Sequence, residues 1–417
     1  MSDRDLPFPA SVLEPLDARL ADLVALYEDL HRHPEMAFQE TRTAGEVARR
    51  LTAYGYDVTT GIGVTGVTGV LRNGPGPVVL LRADMDALPV TENSGVPYAS
   101  TVPGRMHACG HDVHVTCLLG AADLLAAGRD RWSGTLVVLF QPAEEAGSGA
   151  RAMLDDGLYS KQLVPVPDVV LAQHVAPFGA GLIAYCPGAC MAAADTLEIT
   201  FHGTGGHGSR PETTVDPILM AAAFVQRVQS VVSREIAAKE QAVVTVGSFH
   251  AGDTANVIPD RAVVRLSVRS FDQNVRTAVL AAIDRIARAE ATASDAPREP
   301  ETKLLDSFPV TVNDTTVLAE VNEGFTQLFG EQRVFAYEPA TGSEDAGLLA
   351  TAAEAPLYYW WLGGWDPDEF RTALAAGRLA QDIPSNHSPQ FVPVARPTLT
   401  MGVQALTAAA LTRLAGA

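Results

Sequence analysis

Three stretches of the chain share one layout: VVLLRADMD (78–86), TLVVLFQPAEE (135–145) and DVVLAQH (168–174). Each runs through several apolar residues without polar alternation and then delivers acids or a histidine. An unbroken apolar run of this length fits a strand buried on both faces, which requires helices on both sides of a sheet. PLYYWWL (356–362) is a fourth such run. Between them lie helical patterns: Ala44, Val47, Ala48 and Leu51, ended by Gly55, and the mostly apolar HDVHVTCLLGAADLLAAG from His111. The alternation predicts an α/β domain with a mixed, mostly parallel sheet and helices on both faces. GVTGVL and PVVLLR, separated by NGPG, read as a hairpin.

Near Met191 the pattern changes. DTLEITFHG alternates like a half-exposed strand, and a helix is expected over about 215–234. QAVVTVGSFH and RAVVRLSVRS then read as strands, followed by a helix over about 274–290. This β-α-β-β-α order predicts a ferredoxin-like α+β module over 191–306, with ATASDAPREPETK as its exit. The first domain is then discontinuous, 1–190 and 307–417.

Charge narrows the range of partners. Lys and Arg total 30 against 49 Asp and Glu, a net charge of −19 with no basic stripe, which argues against nucleic acid and anionic membrane. The start, MSDRDLPFPASVLEPLDARL, lacks the basic and apolar regions of a leader. No apolar run approaches the ~20 residues of a membrane span, so the cytoplasm is the expected compartment. Four cysteines, Cys109, Cys117, Cys186 and Cys190, form no CxxC pair; CPGAC (186–190) reads as structural.

In open α/β sheets, sites form at the carboxyl ends of the strands. Asp84, Asp86, Glu144, Glu145 and His174 are therefore expected to converge. The segment MHACGHDVHVT (106–116) adds three histidines and a cysteine. A metal site, a redox thiol or a catalytic Cys–His pair would each explain it. In an extended backbone His107, Cys109 and His111 would point to one side, with Gly110 allowing a bend before the helix. Thiolate, imidazole and carboxylate together suit zinc, and accommodate manganese, cobalt or nickel. Adjacent Glu144 and Glu145 after a buried strand call for a neutralising cation, which would engage one and leave the other for proton transfer. GTGGHGS lacks the Gly-Lys-Ser/Thr ending of a phosphate loop.

LHRHPEMAFQE, LLRADMDALPVTE, HACGHDVHV, FQPAEEAGSGARAML, GTGGHGSRP and NHSPQF, in this order over residues 31–391, resemble the hippurate hydrolase and indoleacetyl-amino-acid hydrolase branch of the dinuclear aminoacylase–carboxypeptidase superfamily. The resemblance implies two divalent ions held by Cys109, His111, Glu145, His174 and His387, with Cys109 bridging. It implies Glu144 as general acid/base and Asp86 as the carboxylate orienting the centre. Asp84 stands where other branches carry a histidine ligand, and His107 and His114 are supporting groups. The module is implied to be a lid that dimerises, with His207 stabilising the oxyanion in the partner subunit's site. Asn256 and Arg269 match positions that hold the substrate carboxylate. The implied activity is hydrolysis of N-acyl amino acids. The alternatives are a dipeptidase or metallo-carboxypeptidase using the same centre, a hydrolase with Cys109 as nucleophile, and a non-catalytic metal-binding protein. YYWWLGGWDPDEF (358–370) reads either as a buried strand and loop or as part of an acyl pocket.

Overall fold

A computed structural model describes residue 6 and residues 8–416; the first residues of the acidic start, 1–5, lie outside the described residues. The chain forms two compact units, one of Met1–Gly188, Val312–Glu338 and Asp345–Ala417, the other of Ala189–Thr311 and Pro339–Glu344.

The first unit is built on a mixed sheet. Its strand order is Asp57–Ile62, Gly66–Asn73, Trp132–Gln141, Val78–Asp84, Val169–Gly179, Leu357–Trp365, Ile183–Tyr185, Val334–Ala336. The four central strands, from Trp132–Gln141 to Leu357–Trp365, run parallel. Their apolar runs divide between two layers. Leu136, Val138 and Phe140 enter the core under the helices Leu16–Arg32, His111–Ala127, Thr315–Phe329 and Ala395–Arg413. Val137 and Leu139 enter the opposite core with Gly149–Asp155 and Gly347–Ala353. Period-two side chains on a strand covered from both sides produce this division.

The expected hairpin does not form. Trp132–Gln141 lies between the two strands, antiparallel to Gly66–Asn73 (Val67↔Phe140) and parallel to Val78–Asp84 (Val78↔Thr135). A buried strand needs ladder partners on both edges, and these two strands supply them. The NGPG loop carries the chain past the start of Trp132–Gln141. Gly76 has φ +147°, and a Cβ there would lie 2.9 Å from Gly134 Cα.

The second unit is a four-stranded antiparallel sheet, Ala242–His250, Arg261–Ser270, Ala193–His202, Glu301–Phe308, with the helices Pro217–Ser230 and Gln273–Ala293 packed against it. Asp216 and Asp272 cap those helices by accepting from Ile218 N–H, and from Asn274 and Val275 N–H. The last strand corrects the expected exit. Glu301–Phe308 pairs with Ala193–His202 (Glu301↔Thr200 to Phe308↔Ala194), which completes a β-α-β-β-α-β order. As an edge strand it is exposed along most of its length, so its sequence shows no apolar alternation. The unit ends at Thr311 and takes in 339–344 as well. Among the described residues no helix is long and apolar enough to cross a membrane.

Candidate metal centre

The parallel strands bring their polar ends to one edge. Asp84 closes Val78–Asp84, with Asp86 two residues beyond; Glu144 and Glu145 follow Trp132–Gln141. His174 differs from expectation: Val169–Gly179 continues through it, in register with Trp361 of the neighbouring strand. The 107–111 segment also departs from the extended conformation that would alternate its side chains. Gly110 N–H donates to His107 C=O at 3.3 Å, closing a turn. Gly110 has φ +84°, and a Cβ there would meet Val175 Cγ1 at 2.3 Å. The turn places Cys109 beside His111, the first residue of its helix, while His107 is buried with neither ring nitrogen hydrogen-bonded.

Six side chains converge. Cys109 Sγ lies 3.4 Å from His174 Nε2. His111 Nε2 lies 3.9 Å from Glu144 Oε2 and 3.8 Å from Glu145 Oε1, and His387 Nε2 lies 3.3 Å from Glu145 Oε1. Ligand atoms of Cys109, His111 and His174 fall within 4.8 Å of one another, as do those of Cys109, Glu145 and His387. Cys109 is common to both groups, the arrangement needed for one thiolate shared between two cations. A further group joins His111, Glu144 and Glu145.

Hydrogen bonds behind the donors turn them inward. Asp86 Oδ1 accepts from His111 Nδ1 at 3.2 Å and from Glu144 N–H at 3.1 Å; its Oδ2 accepts from Glu145 N–H at 3.0 Å. His111 Nε2 is thereby aimed at the cluster, buried and without a hydrogen-bond partner. His174 Nδ1 donates to Val175 C=O at 2.7 Å, leaving Nε2 toward Cys109. His387 stands at φ +70°, and its N–H donates to Ala108 C=O at 2.8 Å. His114 uses both ring nitrogens elsewhere, Nδ1 against Asp84 Oδ1 at 2.5 Å and Nε2 accepting Val175 N–H at 2.8 Å, and so has none left for an ion.

The electrostatics fit a cation. Burial, followed by Glu145, Glu144 and Asp84, pushes the Cys109 thiol well above its ordinary range. A thiol so placed is a poor free nucleophile, which counts against the Cys109-nucleophile alternative. Burial pulls His111 down, yet Asp84, Asp86 and Glu145 outweigh it and raise the imidazole to about 10. The cluster therefore favours positive charge, and a divalent ion would engage the thiolate, the unpartnered His111 nitrogen and a carboxylate together.

The second unit holds the other expected residues. Gly206–His207 pairs with Val257–Ile258, and Gly208 N–H donates to Asn256 C=O at 2.8 Å. His207 and Asn256 thus line one cavity of about 550 Å³. Ser209 N–H donates to His207 Nδ1 at 3.1 Å, so in the neutral ring Nε2 carries the hydrogen and is a donor. Arg269 Nη1 donates to Thr341 C=O at 2.7 Å and Ser343 Oγ at 2.9 Å; its Nε and Nη2 have no partner among the described residues.

Two contributors were not assigned from the sequence. Asn386 Nδ2 donates to Cys109 C=O at 3.2 Å and Val175 C=O at 3.1 Å; its place beside His387 was the available signal. Buried Glu40 accepts from Ala143 N–H at 2.9 Å and from Thr65 Oγ1 at 2.5 Å, and so braces the turn before Glu144, where Ala143 has φ +49°. In YYWWLGGWDPDEF, Tyr358 to Trp361 are buried within a strand.

The sequence profile of peptidase family M20/M25/M40 matches residues 80–373. The chain is 41% identical over 323 residues to the hippurate hydrolase of Campylobacter jejuni, covering 77% of this chain and 82% of that one. It is 36% identical over 346 residues to thermostable carboxypeptidase 2 of Saccharolobus solfataricus, covering 82% and 85%. Among solved structures, the YXEP protein of Bacillus subtilis, described as a dinuclear metal binding peptidase of the M20 family, matches with a TM-score of 0.75 at 30% identity, covering 95% of this chain and 99% of that one.

Proposed function

The chain belongs to peptidase family M20/M25/M40, and from that premise we propose that it is a metal-dependent amidohydrolase cleaving N-acyl amino acids to a carboxylic acid and a free amino acid. The observation that carries this reading is the convergence of Cys109, His111, Glu145, His174 and His387 beside Glu144. Two divalent ions held by those five residues, with Cys109 shared, would polarise the acyl carbonyl and bring the pKa of a water from about 15.7 towards neutrality. Zinc, manganese, cobalt and nickel all suit the donor set.

Glu144 is the proton carrier. Its backbone is fixed by Asp86, and its carboxylate accepts the proton that water loses as the water oxygen bonds to the acyl carbon. The same proton then passes to the amide nitrogen as the carbon–nitrogen bond breaks, so acid and amine leave without an acyl-enzyme. His207, through Nε2–H, donates to the developing oxyanion of the partner subunit's site. The free nitrogens of Arg269, with Asn256, take the substrate carboxylate, for which a planar guanidinium fork is well suited.

The homodimer is assigned to the second unit. Its edge strand Ala242–His250 exposes Val243 and Phe249, and the helix Pro217–Ser230 exposes Leu219. An open strand edge with apolar side chains is a ready pairing surface. Free thiols at all four cysteines fit a reducing compartment, the cytoplasm.

The test is an assay of metal-free protein reconstituted with each of the four metals, offered N-acyl amino acids and dipeptides in parallel. Release of free amino acid from N-acyl substrates, abolished by chelation, is the expected result. Hydrolysis of dipeptides alone would establish the second reading, a carboxypeptidase or dipeptidase, which the Saccharolobus relative favours. Absence of turnover with every metal would leave a metal-binding protein.

A further inference from the structure

Behind the histidines of the metal centre the first unit buries a chain of charges that the proposed reaction does not use. Arg82 and Asp345 are 1% and 0% exposed. The Arg82 guanidinium joins acceptors from separate segments: Nη1 donates to Asp84 Oδ2 at 2.6 Å, Nε to Gln141 Oε1 at 3.0 Å, and Nη2 to Asp345 Oδ1 at 3.2 Å. Gln141 Nε2 donates to that same Asp345 oxygen at 2.6 Å, and Ala150 N–H to the other at 3.0 Å. One residue thus ties together two strands and the segment leading into the Gly347–Ala353 helix.

The chain continues toward the metal centre. Asp84 Oδ1 lies 2.5 Å from His114 Nδ1, and His114 Nε2 receives the Val175 N–H at 2.8 Å. A nitrogen that accepts a hydrogen bond carries no proton, so in the neutral ring the hydrogen must be on Nδ1, donated to Asp84. On its other side, Val175 C=O accepts from His174 Nδ1 at 2.7 Å. The His114 ring also packs edge-on against the His174 ring, with centroids 4.5 Å apart. The orientation of His174 therefore depends on His114, that of His114 on Asp84, and that of Asp84 on Arg82.

We infer that Arg82, clamped by Asp345 and Gln141, is a positioning residue for the metal centre: it holds Asp84 as the acceptor of His114 Nδ1–H and so sets the tautomer of His114 and the placement of His174. The inference rests on the metal-dependent reading given above. Arginine is specified by geometry. A lysine would retain the charge but is a point donor, unable to present a planar fork to acceptors from separate segments.

The test pairs long-range ¹H–¹⁵N NMR of the histidine rings, with His114 assigned by its Gln variant, with calorimetric titration of zinc into metal-free protein. Wild-type protein should show His114 as the Nδ1–H tautomer. Arg82→Met should weaken zinc binding by about 10–100-fold, the range for loss of groups that orient metal ligands, and should shift His114 toward a mixed tautomer. Arg82→Lys and Asp345→Asn should fall between, with wild-type circular dichroism. An Nε2–H tautomer in the wild type overturns the inference, and this holds even if Arg82→Met fails to fold. Wild-type zinc affinity and an unchanged His114 tautomer in folded Arg82→Lys and Asp345→Asn overturn it equally. Wild-type protein that takes up no zinc instead defeats the metal-dependent reading, and the inference falls with it.

Discussion

In the first unit most side chains of the proposed metal centre have a partner behind them, Asp86 for His111 and the Glu144–Glu145 backbone, Val175 for His174, Asn386 for Cys109, and Cys109, His111 and Glu144 are buried; His387 is the exposed member, held only through its backbone by Ala108. The second unit is built otherwise. His207 and Asn256 are exposed, and Arg269 is held through one of its three nitrogens. Buried donors with satisfied backs are preorganised and lose little freedom when a ligand arrives. Exposed ones acquire their geometry from whatever they bind. Ion binding should therefore belong to the first unit alone, whereas the roles proposed for His207 and Arg269 would need substrate or another subunit to complete them.

The sharpest way to separate the two clusters is to remove chemistry without removing ions. Glu144→Gln keeps size and hydrogen bonding but cannot carry the proton, so kcat should fall by about 10²–10⁴-fold while metal content measured by plasma mass spectrometry stays at wild-type level. Full activity in this variant would remove the proposed proton carrier. His207→Ala comes next. A lost oxyanion donor costs about 10²–10³-fold in kcat, again with unchanged ions. A fall in ion content in this variant would break the division of labour drawn above.

Arg269→Met should act on binding rather than chemistry. A hydrogen bond to a charged group contributes about 1.5–3 kcal/mol, so KM for an N-acyl amino acid should rise roughly 10–100-fold with kcat nearly kept. The matching amide, which lacks the carboxylate, should show no difference between variant and wild type. An equal loss on both substrates would place Arg269 in the structure of the second unit and not in recognition.

Legibility in the sequence followed burial and periodicity. The central strands were readable because their apolar runs are unbroken, and the strand-end acids because an acid after such a run is costly unless used. The strand Glu301–Phe308 was not readable: an exposed edge strand has no core to pattern it. The pairing of Trp132–Gln141 between two strands taken for a hairpin was hidden for a related reason, since period and composition do not encode which strands are neighbours. In the candidate metal centre the side chains that converge were legible by type, but the groups behind them were not. Asp345 lies in TGSED with no apolar run before it, and only the fold brings it to Arg82. The turn at 107–110 likewise breaks the extended alternation that would have put His107 and Cys109 on one side.

The smallest predicted effect concerns stability and tests whether the first unit's buried charge matters away from the ions. His31 is fully buried, with Nδ1 2.6 Å from Asp112 Oδ2 and Nε2 3.3 Å from Glu92 Oε1, its ring against Tyr27 and Tyr98. Burial pulls its pKa down, but Asp112 and Glu92 outweigh burial and raise it to about 9. Asp112 and Glu92 are themselves held below their ordinary values, against the pull of burial, with His107 and His31 as the opposing charges at Asp112 and His31 at Glu92. A raised histidine stabilises the fold fully below its unfolded value of about 6.5 and loses that contribution as pH rises through the folded value. A lowered carboxylate stabilises above its unfolded value of about 4 and loses that contribution on acidification. The trio should therefore contribute most between about pH 4 and 6.5, and calorimetry of the zinc-loaded protein should show the first unit's Tm falling by several degrees between pH 6.5 and 9. His31→Gln should be less stable at pH 6 and should flatten that decline, while any transition of the second unit keeps its slope. Parallel pH profiles for wild type and variant would show that the ion pair adds nothing, and that the first unit's buried charge serves the metal centre alone.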